Sequence, residues 1–150
     1  MNVNHYPLWT AIITPMLASG EIDFDSFEQL LKNQEEAGNG ILVLGSTGES
    51  LNLDLDEKKK ISAFAANLNL KVPLMAGVGG VNLRNTLEWV KYLETLNYQS
   101  YLMVTPLYAK PGPKGQTAWF KTLMDAASRP VMLYNIPGRT GISLPLETVR

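Results

Sequence analysis

The sequence predicts an α/β fold made of repeated strand–helix units, namely the first four to five βα units of a (β/α)8 TIM barrel. Five short apolar runs rich in Ile, Val, Leu and Met begin at residues 10, 41, 72, 101 and 130, so the steps between them are 31, 31, 29 and 29 residues. Such regular steps are typical of a repeated strand–helix unit. Because the runs are continuously apolar and do not alternate, we expect a parallel sheet buried on both faces.

Periodicity alone fits a doubly wound sheet as well as a barrel, and chain length favours the barrel. Eight units in roughly 250 residues correspond to about 31 residues per unit. Residues 1–150 would then be the amino-terminal part of a single TIM-barrel domain that ends before the sixth strand. An open half barrel has two unpaired edges and one apolar sheet face, so we expect this segment alone to be poorly soluble or to self-associate.

Capping patterns place the helices between these runs. Residues 25–28, Asp-Ser-Phe-Glu, are predicted to begin the first helix, and Gly38 to end it in the left-handed conformation. Asp54 with Glu57 begins the second helix and Asn82 the third, while Pro145 lies in the first turn of a fifth. Each helix is predicted to lay one apolar stripe on the sheet. The stripes are Phe27, Leu30, Leu31 and Ala37; Ile61, Phe64, Ala65 and Leu68; Leu83, Leu87, Val90 and Leu93; and Phe120, Leu123, Met124 and Ala127.

Composition excludes several classes of partner and chemistry. The net charge is −1 with interspersed signs, which argues against nucleic acid and anionic membranes, and the basic run at residues 58–60 is expected to be a solvated helix surface. No stretch resembles a membrane span or a signal peptide, so we expect a soluble cytoplasmic protein. The chain has no cysteine, and its only histidine is His5. We therefore expect no disulfide, no metal site, no histidine base and no cofactor.

Hydroxyls and carboxylates remain as proton carriers, and in a barrel the catalytic groups collect where strands end. Here every predicted strand end carries a hydroxyl or a glycine turn. These are Thr14; Ser46 with Thr47; Gly77 with Gly79 and Gly80; Thr105 with Tyr108; and Tyr134 with Asn135.

Taken singly, these residues have ordinary structural interpretations. Residues 45–50, Gly-Ser-Thr-Gly-Glu-Ser, form either a simple strand-to-helix turn or a cradle of backbone N–H groups for an anion. The turn lacks the lysine of a P-loop, and residues 77–82 lack the third glycine of a dinucleotide fingerprint. Tyr108 and Tyr134 fit packed aromatics, and Arg139 fits a surface cation.

Jointly, the strand-end motifs resemble those of the dihydrodipicolinate synthase and N-acetylneuraminate lyase family of aldolases. The matching segments are Thr14-Pro15, residues 45–49, residues 76–79 (Ala-Gly-Val-Gly), residues 105–108 (Thr-Pro-Leu-Tyr) and residues 134–141 (Tyr-Asn-Ile-Pro-Gly-Arg-Thr-Gly). Leu107 departs from the family, whose synthases usually have the first of two tyrosines there. Arg139 favours the synthase branch, because the sialic acid lyases usually replace it.

The resemblance implies a class I aldolase, a lyase of the lysine and diaminopimelate pathways. A lysine on the sixth strand forms a Schiff base with pyruvate, and the derived enamine attacks aspartate 4-semialdehyde. That lysine would lie about residue 160, beyond Arg150, so this segment alone is expected to be inactive. Two alternatives stay open: an N-acetylneuraminate lyase or keto-deoxy sugar acid aldolase, and a noncatalytic short chain that associates with full-length subunits.

The resemblance also assigns roles residue by residue. Thr47 and the adjacent amides would hold the pyruvate carboxylate, and Ser46, Tyr134 and Tyr108 would form a proton relay. Tyr108 would reach into the neighbouring subunit of a tight homodimer, usually within a homotetramer. Arg139 would pair with the carboxylate of the semialdehyde.

Some synthases of this family are inhibited by lysine at the dimer interface, and this sequence departs from their pattern. The positions that bind lysine there hold less suitable side chains here, because an acid is replaced by an amide and a stacking tyrosine by a leucine. They are Leu55, Lys58, Val81, Asn85 and Leu107. We expect the complete enzyme to be insensitive to lysine.

Overall fold

The computed structural model describes residues 3–150, which form five parallel strands with helices between them. The strands lie side by side in sequence order. They are β1 Trp9–Ala11, β2 Gly40–Val43, β3 Leu74–Val78, β4 Ser100–Val104 and β5 Val131–Tyr134. A doubly wound sheet would reverse its order at a switch point, whereas a barrel keeps it sequential. The predicted barrel class is therefore confirmed, as an open half barrel.

Four long helices connect the strands. They are α1 Phe24–Glu36, α2 Leu55–Asn67, α3 Leu83–Leu93 and α4 Pro113–Asp125, followed by the short α5 Pro137–Thr140 and α6 Leu146–Val149. The Val3–His5 segment is a 3-10 turn. None of the helices in residues 3–150 is long and apolar enough to cross a membrane.

Most of the predicted helix ends are confirmed. Asp54 and Glu57 form a reciprocal capping box on α2, and Asn82 caps α3 by accepting from the Asn85 amide. Gly38 has φ +72°, the left-handed conformation predicted for it. The predicted start of α1 is wrong by two residues: Asp23 is the cap, because its carboxylate accepts the Ser26 amide at 3.0 Å.

The apolar stripes pack against the sheet with three exceptions. Phe27, Ile61, Val90 and Leu123 are among the fully buried core residues of the four long helices. The predicted stripe residues Ala37, Leu83 and Met124 are exposed. Each lies near an end of its helix, where the helix no longer covers a strand.

The third strand begins later than the apolar run at residue 72 predicts. Val72 and Pro73 are buried, but β3 starts at Leu74. Proline has no N–H to donate to a ladder, so it cannot continue a central strand, although its carbonyl still accepts from Ile41 N at 3.0 Å.

Candidate active site

A cavity of about 600 Å³ lies on the concave face of the sheet, next to the loops that follow the strands. We call these loops, residues 44–54, 79–82, 105–112 and 135–145, the carboxyl edge. Strand side chains such as Leu42, Met75 and Met132 form an apolar floor. Four of the five predicted site residues line the cavity, namely Ser46, Thr47, Tyr134 and Arg139. Tyr108 does not.

The turn at residues 45–50 has the bonding expected of an anion cradle. The amides of Gly48 and Ser50 both donate to Gly45 O, at 3.1 and 3.5 Å. Buried Thr14 fixes the turn from below, because its hydroxyl donates to Gly48 O at 2.8 Å. Among the described residues, the amides of Ser46 and Thr47 have no hydrogen-bond acceptor. Two free N–H groups beside two exposed hydroxyls leave this turn able to bind an anion.

Gly77 lies beside this turn in the structure, and sterics explain why it is a glycine. A Cβ built on Gly77 would lie 2.1 Å from the carbonyl oxygen of Leu44, which itself has φ +58°. Only glycine allows β3 to pass so close to the turn that carries Ser46 and Thr47. Residues 77–82 therefore shape the site by close packing.

Tyr134 and Arg139 are held five residues apart by a compact turn. Tyr134 ends β5, where it is paired with Val104 of β4, and Arg139 lies on α5. Asn135 Oδ1 accepts from Leu144 N at 3.0 Å, which closes the segment behind them. Neither the Tyr134 hydroxyl nor the Arg139 guanidinium has a hydrogen bond to another described residue. Both groups are therefore free to bind a ligand.

Tyr108 lies outside this group. Its side chain is 89% exposed, and its backbone has φ +65°, a left-handed conformation that is unfavourable for tyrosine. Neighbouring Thr105 is buried, and its hydroxyl has no partner within residues 3–150. A largely exposed aromatic with a strained backbone is typical of a functional position.

Sequence reasoning missed two tryptophans that fix strand ends beside the cavity. The indole N–H of Trp89 donates to Gly77 O at 3.1 Å, and that of Trp119 donates to Val104 O at 3.0 Å. The two residues are 30 positions apart, so the repeat of the strands also repeats this contact. That shared period is the signal that would have found them.

The charge and donor chemistry of the cavity are simple. Of the side chains that line it within the described part of the chain, only Arg139 is charged, and none is a lysine. Residues 3–150 contain no group of three or more His, Asp or Glu side chains placed to hold a metal. The cavity therefore offers one cation, a pair of free amides and four hydroxyls to a ligand that carries carboxylates.

Comparison with known sequences gives one family. The model of the dihydrodipicolinate synthetase family matches residues 5–150. A 4-hydroxy-tetrahydrodipicolinate synthase of Francisella philomiragia is 54% identical over 142 residues, which are 95% of this chain and 48% of that protein. The enzyme of the same name from Chlamydia caviae is 49% identical, with 95% and 49% coverage. The chain thus spans about half the length of the curated relatives it matches.

Solved structures agree in fold. A dihydrodipicolinate synthase of Bacillus anthracis superposes with a TM-score of 0.90 at 32% identity, covering 95% of this chain and 49% of that one. The enzyme of Acinetobacter baumannii, complexed with pyruvate, superposes with a TM-score of 0.89 at 35% identity, covering 94% and 49%. Both alignments place this chain on half of the solved chain.

Proposed function

The chain belongs to the dihydrodipicolinate synthetase family, and we propose that residues 1–150 are the amino-terminal part of the TIM-barrel domain of a 4-hydroxy-tetrahydrodipicolinate synthase. This lyase would condense pyruvate with aspartate 4-semialdehyde, an early step of lysine and diaminopimelate biosynthesis in the cytoplasm. The observation that carries the proposal is the convergence of Ser46, Thr47, Tyr134 and Arg139 on one cavity. Relatives that are 54% and 49% identical to this chain carry the name of this enzyme.

Pyruvate would bind at the turn of residues 45–50. Its carboxylate needs donors, and the free amides of Ser46 and Thr47 with the Thr47 hydroxyl supply them. The strand floor below is apolar, which suits the methyl group of pyruvate. A carboxylate held this way presents the keto carbon to the centre of the half barrel.

Carbon–carbon bond formation would proceed through an imine. A lysine amine attacks the keto carbon of pyruvate, water leaves, and loss of a proton from the methyl carbon gives an enamine. The enamine then attacks the aldehyde carbon of the semialdehyde, and the amino group of the resulting adduct attacks the imine carbon, which closes the ring and releases the lysine amine. Ser46, Tyr134 and Tyr108 would carry the protons, because a chain of hydroxyls can both accept and donate. Arg139 would hold the semialdehyde carboxylate with its planar fork.

The lysine that forms the imine would lie in the half of the full-length protein that residues 1–150 do not cover. No lysine of residues 3–150 lines the cavity, and Lys71 and Lys110 lie exposed in loops. An imine-forming lysine needs a desolvated or positively charged surrounding that lowers its pKa. Residues 1–150 alone would therefore bind pyruvate without forming the imine.

A second copy of the chain would complete the site, as a homodimer within a homotetramer. Beside the Tyr108 loop, the side chain of Val81 adds apolar surface and is 61% exposed. The loops are joined by the bond from Leu107 N to Gly80 O at 3.1 Å, so Val81 and Tyr108 belong to one surface. An exposed apolar surface with a strained aromatic at its centre suits a dimer interface.

Borohydride trapping tests the proposal. A full-length protein, meaning a chain of the relatives' length that carries these 150 residues, should condense the two substrates and gain the mass of one reduced pyruvate adduct. Residues 1–150 alone should keep their mass. Turnover of sialic acid or a keto-deoxy sugar acid, with none of the semialdehyde, would contradict the assignment. A trapped adduct on residues 1–150 would show that one of their lysines is the nucleophile.

Regulation by lysine is expected to be absent. The side chains at the positions where lysine-inhibited relatives bind the effector include exposed Leu55 and Val81, an amide at Asn85 and a cation at Lys58. The ammonium group of lysine would meet repulsion where it needs a carboxylate. Initial rates should stay constant as lysine is added at fixed substrate concentrations, and clear inhibition below about 1 mM would contradict this expectation.

A further inference from the structure

Gln116, in the first turn of α4, is a buried polar side chain between two loops of the site. It is 2% exposed, and its Nε2 donates to Pro111 O at 3.1 Å and to Ser143 O at 3.3 Å. Pro111 belongs to the loop that carries Tyr108. Ser143 belongs to the segment that carries Arg139. One side chain thus joins two parts of the carboxyl edge that are distant in sequence.

The chemistry of the partners fixes the orientation of this amide. Both partners are carbonyl oxygens, which only accept, so the Nε2 with its two hydrogens must face them. The other end, Oε1, has no partner among the described residues. A buried polar atom without a partner is unfavourable, so an apolar side chain would suit this pocket better for stability alone. The two donated bonds are what the glutamine supplies.

The loop that Gln116 holds has few other restraints. Tyr108 and Lys110 both have left-handed backbones, at φ +65° and +47°. Strained residues of this kind keep their conformation only where the surroundings impose it. A second contact spans the same gap: a Cβ built on Gly141 would lie 2.6 Å from Lys110 Cε, so the lysine stem packs directly on the Arg139 segment.

We propose that Gln116 is a positioning residue that couples the Tyr108 loop to the Arg139 segment. It holds in place both the loop that carries the relay tyrosine of the neighbouring site and the segment that carries the arginine for the second substrate, so the proposal rests on the function proposed above. Gln116 makes no hydrogen bond to the pyruvate turn at residues 45–50. Its loss should therefore change turnover and the KM for the semialdehyde while leaving the KM for pyruvate unchanged.

Two substitutions in the full-length protein test this. Gln116→Met keeps the length and removes both donors, and Gln116→Glu keeps the shape and places an oxygen against two carbonyls. Turnover should fall about tenfold or more in both, since small displacements of catalytic groups are costly. In Gln116→Glu the loss should become smaller as the pH falls, because the protonated carboxyl regains one donor. Gln116→Met should show no such recovery.

Two control variants separate positioning from stability. Thr117→Ala removes a neighbouring bond that stays within α4, from Thr117 Oγ1 to Pro113 O at 3.1 Å. Tyr98→Phe removes a buried bond far from the site, to Ser62 O at 3.3 Å. Both should keep the kinetics, although Tyr98→Phe should lower the melting temperature. If Gln116→Met behaves like Tyr98→Phe, with lower stability and unchanged turnover and KM, the proposal is wrong.

Hydrogen exchange supplies a readout that needs no activity. Amides in residues 107–112 and 138–144 should exchange faster together in Gln116→Met, while residues 45–50 keep their rates. Faster exchange in only one segment, in neither, or throughout the chain would overturn the coupling. A parent protein without synthase activity would refute the proposed function, yet exchange would still decide the role of Gln116. If Gln116→Met does not fold, the isosteric Gln116→Glu decides with the same measurement.

Discussion

Polar side chains have opposite roles in the loops at the two ends of the strands. We call the loops of residues 37–39, 68–73, 94–99 and 126–130 the amino edge. Polar side chains in these loops form hydrogen bonds with neighbouring elements. Glu94 accepts from the Tyr101 hydroxyl at 2.8 Å and from Ser128 N at 3.0 Å. Gln99 Oε1 accepts from Leu74 N at 2.8 Å. Each of these bonds joins elements from different units.

At the carboxyl edge, the predicted site residues form no such bonds. The side chains of Ser46, Thr47, Tyr108, Tyr134 and Arg139 have no hydrogen-bond partner within residues 3–150. Other polar side chains at or beside this edge, such as Thr14, Asn135 and Thr140, do form hydrogen bonds and hold turns in place. The polar side chains named at the amino edge thus stabilise the fold, whereas the predicted site residues at the carboxyl edge remain available for ligands. The two edges should therefore respond differently to the same kind of substitution.

Removal of a tyrosine hydroxyl gives the largest contrast. In the full-length protein, Tyr134→Phe should lower turnover by about 10²-fold or more, because it interrupts the proton relay, and should hardly change stability. Tyr101→Phe at the amino edge should leave turnover unchanged and reduce the free energy of unfolding by about 1 to 3 kcal/mol, since Glu94 loses a donor. Steady-state kinetics and urea unfolding of both variants check this. Near-normal turnover in Tyr134→Phe would remove it from the relay.

The hydrogen bonds that Glu94 accepts from Tyr101 and Ser128 should make the free energy of unfolding depend on pH. Burial raises the pKa of the Glu94 carboxyl, but hydrogen bonds from Ser128 and Tyr101 outweigh it and hold that pKa below its ordinary value of 4.5. A carboxyl whose pKa is lower in the folded state stabilises the protein above the unfolded pKa, and the contribution disappears as the pH falls through the folded pKa. The unfolding free energy should thus decrease below about pH 4.5.

Glu94→Gln isolates this contribution. Near pH 7 the variant should be about 1 to 2 kcal/mol less stable than the parent, because it loses charge-assisted bonds. The difference should shrink as the pH falls below 4.5, where the parent carboxyl also becomes neutral. Turnover should not change. A stability difference that is independent of pH would show that the charge of Glu94 has no role.

Much of the fold could be predicted from local sequence patterns, namely apolar runs and helix-capping residues. The apolar period found all five strands, and Asp54 with Glu57 formed the predicted capping box. The errors came from competition between neighbours: Asp23 caps α1 although residues 25–28 fit the same pattern. The short α5 was not predicted, because a Pro-Gly pair at residues 137–138 is typical of a turn.

The candidate site was predicted less completely, for a physical reason. Motifs identified the four residues that share the cavity, because strand ends of a parallel sheet meet at one edge. They did not find Trp89, Trp119 or Gln116, whose role is to donate hydrogen bonds to backbone carbonyls. Apart from the 30-residue period that the two tryptophans share, such contacts depend on where other loops pass, and no local spacing encodes that.

The smallest effect on turnover should come from Ser46→Thr at the carboxyl edge. The Ser46 side chain is exposed, so the methyl group added in Ser46→Thr meets no core. The hydroxyl is kept and its rotamer becomes more restricted, so turnover should change by no more than about twofold. Ser46→Ala, which removes the oxygen, should instead lose about 10²-fold. At the amino edge, the hydroxyl of Ser128 donates to Glu94, so Ser128→Ala should lower stability by about 1 kcal/mol at normal turnover. A Ser46→Ala variant with normal turnover, or a Ser128→Ala variant with impaired turnover, would show that the two edges are not separate in function.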